Sequence, residues 1–153
     1  MKKIITMAVL IFSSMLTYAC TSGTEQKQAE TQKTAQDGSV IVMNKAMFIK
    51  NIFDYEKSKE WKYKGDKPAI IDLYADWCGP CRMQGPVVEQ LSEELDGKVS
   101  FFKVDVDENQ STAEKFGVMS IPTMIIQKDG KVVDTVVGYH EKDALKKIIE
   151  KYL

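Results

Sequence analysis

The chain has 153 residues, 28% of them charged, with a formal net charge of -1 at pH 7 and three cysteines. Basic and acidic residues are interleaved without a cluster that could follow a phosphate backbone, which argues against a nucleic-acid partner. Its length, less the leader described next, suits one domain with a single core.

Lys2 and Lys3 are followed by an apolar run from Ile4 to Leu16. A membrane-spanning helix needs about 20 apolar residues, so the run reads as the core of a signal peptide. The small residue Ala19 suits cleavage, predicting a leader over 1–19 and export to the bacterial periplasm. Cys20, directly after that point, resembles the lipid-bearing first residue of a bacterial lipoprotein. The usual pattern has Leu three residues before the cysteine, where Thr17 stands here. Cys20 is therefore a candidate lipidation site, the alternative being ordinary cleavage that leaves an incidental thiol. Residues 20–39 hold no aromatic residue and almost nothing apolar, too little to offset ordering entropy, and predict a flexible tether.

The domain is expected over 40–153. Val40 to Met43 suits a short strand, and Asn44 an N-cap for a helix carrying Met47, Phe48, Asn51, Ile52 and Tyr55. A loop around Trp61 to Asp66 ends at Pro68. Ala69 to Ala75 is nearly continuous in apolar residues, as a strand buried on both faces would be. A helix from about Cys78 or Pro80 to Leu95 follows, with Val87, Val88, Leu91 and Leu95 on one side; Gly85-Pro86 is expected to kink it and Gly97 to end it. Val99 to Val106 reads as a strand, 109–116 as a short helix, and Met124 to Gln127 and Val132 to Val137 as strands joined at Asp129-Gly130. An amphipathic helix over Glu141 to Leu153 closes the chain. The order β-α-β-α-β-α-β-β-α predicts an α/β fold with a parallel sheet core extended by an antiparallel hairpin.

Cys78-Gly79-Pro80-Cys81 falls where the buried strand gives way to a helix. Free N–H groups and the dipole at a helix N-terminus stabilise a thiolate, the nucleophile of disulfide exchange. Cys81 follows at i+3 on the same face, within reach of Cys78, and Pro80 suits the first turn. Other readings fit less well. Zinc needs four ligands, and the chain offers beyond this pair only Cys20 and His140. Haem attachment needs His after the second cysteine, where Arg82 stands. A purely structural disulfide this short would restrain the unfolded chain very little. The single histidine suggests no Cys–His protease site, and His140 reads as a solvated loop residue.

Trp77-Cys78-Gly79-Pro80-Cys81 resembles the active-site motif of thioredoxins, and the order of elements agrees from about Ala69 to Leu153. The N-terminal half of the domain, especially the loop around Trp61, matches less closely. The resemblance implies a thioredoxin fold, a mixed central β-sheet flanked by helices, and a thiol–disulfide oxidoreductase that needs no metal or organic cofactor. Asp72, a lone carboxylate in an apolar strand, must stay protonated, find partners or reach solvent. The family implies a buried acid beneath Cys81 that takes its proton, with Lys103 nearby; an ordinary solvent-facing lysine is the alternative for Lys103. Ile121-Pro122-Thr123 matches the family's cis-proline loop, where the Ile121 backbone would pair with an extended client. Gly138 matches a family glycine near the same groove, or is a turn glycine. Trp77, Gly79, Pro80, Ile121, Pro122 and Gly138 thus form the candidate client surface, although aromatic packing accounts for Trp77 equally well.

Gly-Pro between the cysteines resembles the reducing members of the family, whereas export points to an oxidising compartment. The expectation is a monomeric reductase of disulfide-containing proteins, supplied by a membrane electron donor and touching the membrane only through a lipid on Cys20. An oxidase or isomerase for secreted proteins is the alternative. A non-catalytic binding module would typically lack one cysteine, and this chain has both. Cytochrome-maturation relatives usually carry an insertion for which there is no room between Cys81 and Pro122.

Overall fold

The computed structural model describes residues 39–153. The expected leader, Cys20 and all but the last residue of the expected tether lie outside the described residues. The elements are β1 (Ile41–Val42), α1 (Lys45–Asn51), β2 (Ala69–Tyr74), α2 (Gly79–Glu94), β3 (Ser100–Asp105), α3 (Gln110–Lys115), β4 (Thr123–Lys128), β5 (Lys131–Val137) and α4 (Lys142–Glu150).

A strand apolar on both faces needs cover on both, and Ala69 to Leu73 are buried throughout. β2 is accordingly the middle strand of a five-stranded sheet in the order β1-β3-β2-β4-β5. β1, β3 and β2 are parallel, while β4 and β5 add antiparallel strands. The β4–β5 turn needs two residues at positive φ, which Asp129 (51°) and Gly130 (76°) supply.

Alternation along the strands divides the core into two layers. Phe48, Ile52 and Phe53 pack with Ile71, Leu73, Phe102, Val104 and Ile125 in one. In the other, Val88, Leu91 and Leu95 join Leu145 and Ile149 of α4 over Ile70, Phe101, Met124 and Ile126. Val87, expected on this inner side of α2, is half-buried and packs against this layer. At the surface Glu94 accepts from Lys142 at 2.6 Å and Lys146 at 2.8 Å, linking α2 to α4. Such exposed pairs contribute at most about 1 kcal/mol each.

Near its start the domain departs from the periodicity. The Asn44 side chain caps α1, accepting from the Met47 N–H at 2.9 Å. The helix stops before Tyr55, because the N–H groups of Ile52 and Phe53 both turn onto the Phe48 carbonyl, at 2.8 and 3.1 Å. Tyr55 instead bonds through its hydroxyl to the Thr112 hydroxyl at 3.0 Å. The loop containing Trp61 is built into the core: its ring lies 4.7 Å from that of Phe53 and 5.0 Å from that of Phe116.

Phe48 joins this aromatic group through Tyr55 and Phe116, at ring distances of 6.2 and 5.7 Å, and is fully buried. Phe48→Ala should lower stability by about 3–5 kcal/mol, read from the shift in urea midpoint; an unchanged midpoint would mean that the cluster carries no weight in the fold.

Candidate active site

The turn from β2 into α2 presents the cysteines. Cys78 donates its N–H to the Ala75 carbonyl at 3.1 Å and takes the N-cap position of α2 in extended conformation, with φ -77° and ψ 110°. Its sulfur accepts from the Cys81 N–H at 3.2 Å, the place a capping serine or aspartate oxygen would occupy. The helix dipole and the free first-turn N–H groups therefore act on that sulfur directly. Cys78 and Cys81 are disulfide-bonded, with Cα atoms 5.2 Å apart. Exposure does not distinguish them, at 4% and 5%; what sets Cys78 apart is the cap position. Gly79 and Pro80 form the first turn, Gly79 half-buried and Pro80 exposed.

Two further loops border the pair. The Ile121–Pro122 peptide bond is cis, and the Ile121 carbonyl oxygen lies 3.7 Å from Cys78 Sγ. Behind it, Gly138 donates its N–H to the Pro122 carbonyl at 2.8 Å. Its φ of +87° is left-handed backbone that favours glycine. Trp77 is 68% exposed beside the pair, and its indole N–H donates to Asp107 Oδ2 at 2.7 Å. Met119, two residues before Ile121, is 98% exposed.

Beneath this surface lies Asp72, 1% exposed and in register with Lys103 of β3. Burial pushes its carboxyl up to about 6, and the Lys103 charge opposes that shift. Asp72 Oδ1 has no hydrogen-bond partner. Lys103 is half-buried, its ammonium 4.4 Å from the centre of the Tyr74 ring, a cation–π contact. Lys103, Tyr74, Gly85 and Pro86 line a cleft of about 220 Å³ that also reaches Cys81. The Lys103 side chain and Cys81 thus line one cleft.

The structure gathers Trp77, Cys78, Gly79, Pro80, Cys81, Ile121, Pro122 and Gly138 at one end of the sheet, with Asp72 and Lys103 paired across β2 and β3. Three contributors were not anticipated. Asp107 and Tyr74 carry no spacing signal, because their partners come from other strands and loops. Gln84 did carry one: it stands four residues before the buried Val88, on the helix's inner face. His140 is half-buried rather than solvated, its N–H donating to Gln84 Oε1 at 2.8 Å. Among the described residues, no three His, Cys, Asp or Glu side chains could together hold a metal ion.

A disulfide-forming pair at a helix cap on this mixed sheet defines a thiol–disulfide oxidoreductase. The thioredoxin family model matches residues 40–151. Over 113 residues the chain is 42% identical to a thioredoxin of Borreliella burgdorferi, covering 73% of this chain and 96% of that one. It is 56% identical over 84 residues to a Staphylococcus saprophyticus thioredoxin, covering 55% of this chain and 81% of the relative. Among solved structures, a point mutant of Halobacterium salinarum thioredoxin superposes with TM-score 0.63 at 37% identity, over 78% of this chain and 95% of that one. The chain belongs to the thioredoxin family.

The raised Asp72 carboxyl predicts a stability effect of defined sign. The folded state holds this proton more tightly than the unfolded chain, whose aspartate titrates at 3.8. Stability is therefore lost as pH rises from about 4 through about 6, and the penalty is fully present above. Asp72→Asn should raise stability at pH 7–8 by about 2–3 kcal/mol and flatten the pH dependence between about pH 4 and 6. Urea midpoints across pH check this; a destabilised variant at pH 7 would show the carboxylate to be well solvated.

Proposed function

We propose that this protein is an exported protein-disulfide reductase, working through Cys78 and Cys81 and re-reduced by a membrane electron donor. The observation that carries the reductive chemistry is Cys78 as the sulfur cap of α2, 3.7 Å from the Ile121 carbonyl. Export is supported by the sequence of residues 2–19, and the reducing direction by Gly79-Pro80 between the cysteines. Cys20 is the candidate lipid-attachment residue.

In the forward direction the Cys78 thiolate attacks one sulfur of a client disulfide, and the other sulfur leaves as a thiolate. Asp72, as carboxylate, takes the Cys81 proton through water in the cleft lined by Lys103. The Cys81 thiolate then attacks Cys78 Sγ, expelling the client's remaining sulfur and leaving the Cys78–Cys81 disulfide. Two electrons have passed to the client, and the donor restores them. The Ile121 backbone pairs with the extended client strand, with Trp77 and Gly138 on either side. Main-chain pairing reads little side-chain identity and so serves many clients.

One observation favours a second reading. The leader read from residues 2–19 would direct the chain to an oxidising compartment, where the same residues run backwards would donate disulfides to secreted proteins.

The redox state of the pair in intact cells, fixed by acid quenching and thiol alkylation, separates the two readings. A mostly reduced pair is expected; a mostly oxidised pair would move the assignment to disulfide donation. In purified protein, Cys78→Ala should abolish disulfide reduction, whereas Cys81→Ala should accumulate mixed disulfides visible on non-reducing gels. An active Cys78→Ala variant would sink the mechanism.

A further inference from the structure

Gln84 lies in the second turn of α2, one turn beyond Cys81, and is completely buried. A primary amide is costly to bury unless its polar atoms are used. One of them is: Oε1 accepts the His140 N–H at 2.8 Å, a contact between residues 56 positions apart. The Nε2 has no hydrogen-bond partner. The side chain is therefore held there for its oxygen.

The recipient of that bond matters. His140 stands two residues after Gly138, and its ring Nδ1 lies 3.0 Å from the Gly138 carbonyl. Gly138 in turn donates its N–H to Pro122 at 2.8 Å, directly after the Ile121 carbonyl that faces Cys78. These hydrogen bonds run from the cysteine-bearing helix through Gln84, His140 and Gly138 to Pro122, and the Ile121 carbonyl, 3.7 Å from Cys78 Sγ, brings the chain of contacts back to the cysteine. Without Gln84 the loop 138–140 would lose its hydrogen bond to α2. Glu141, the N-cap of α4, makes no side-chain capping bond that would hold the loop instead.

We propose that Gln84 is a positioning residue that locks the Gly138–His140 wall of the client groove to the helix carrying Cys78. The inference rests on the reading of that groove as the client site. Gln84 touches neither client nor reacting sulfur; it acts through the loop, and so bears on client binding more than on the exchange step.

The test compares Gln84→Met, which keeps shape and loses the acceptor, with Gln84→Glu, which keeps an oxygen for the His140 N–H. With insulin as protein disulfide and dithiothreitol as electron source, Gln84→Met should raise KM about fivefold, the scale of one net hydrogen bond, while kcat falls less than twofold. Gln84→Glu should restore KM to within about twofold of wild type. Equal loss in kcat and KM, no change in KM, or failure of Glu to rescue in a folded variant would each overturn the proposal. Hydrogen exchange on the wild-type protein serves if a variant does not fold: the His140 amide should be protected like those of β5, and rapid exchange overturns the inference. A wild-type protein that leaves insulin disulfides intact would instead remove the client-site reading, and this inference with it.

Discussion

A sulfur atom occupies the place of an oxygen at the cap of a helix, and the chemistry of this protein depends on that substitution. The Cys78 sulfur accepts the Cys81 N–H at 3.2 Å. The hydrogen bond that starts α2 is thus of the kind that stabilises negative charge on a thiolate sulfur, as the proposed exchange requires of Cys78. The sheet makes the arrangement rigid. β2 is buried from Ala69 to Leu73, which fixes the strand leading into the turn, and the cap lies beside the Ile121 carbonyl. Gly138 backs that carbonyl's neighbour from the other side, through a backbone shape that glycine adopts without strain.

Beneath the cap the fold carries a cost. Asp72 occupies a position where a leucine or valine would add hydrophobic stabilisation, and its ionised form is penalised by burial. Lys103 offsets part of that penalty from the adjacent strand, and Tyr74 holds the ammonium on its ring face. The result is a carboxyl poised near neutral pH, in register with a lysine that lines the cleft reaching Cys81. A carboxyl poised in this way suits the proton-transfer role proposed for it.

The sequence displayed most of this architecture because its signals are local. The apolar run from Ala69, the Asp129-Gly130 turn and the Cys78 to Cys81 spacing each specify an element within a few residues. Boundaries shifted where tertiary contacts competed with periodicity. Tyr55 left α1 because the Phe48 carbonyl draws two N–H groups, and its hydroxyl found Thr112. Trp61 reads as loop in sequence but closes an aromatic cluster with Phe53 and Phe116 that only three-dimensional contact reveals. At the site, Cys78 and Cys81 were legible from spacing alone, and Asp72 from a charge in an apolar strand. Pro122 and Gly138 were legible only through family likeness, and Asp107, Tyr74 and the Gln84–His140 bond from none of these, since each joins residues distant in the chain.

The central claim is that the cap position makes the Cys78 sulfur a better anion than a free cysteine. It is tested most directly by the pH dependence of iodoacetamide alkylation of Cys78 in the reduced protein, each site followed by mass spectrometry. The account predicts half-maximal reactivity at least one pH unit below the free-cysteine value of about 8.5. A midpoint at or above that value would contradict it, and would mean that the helix N-terminus positions the sulfur without activating it.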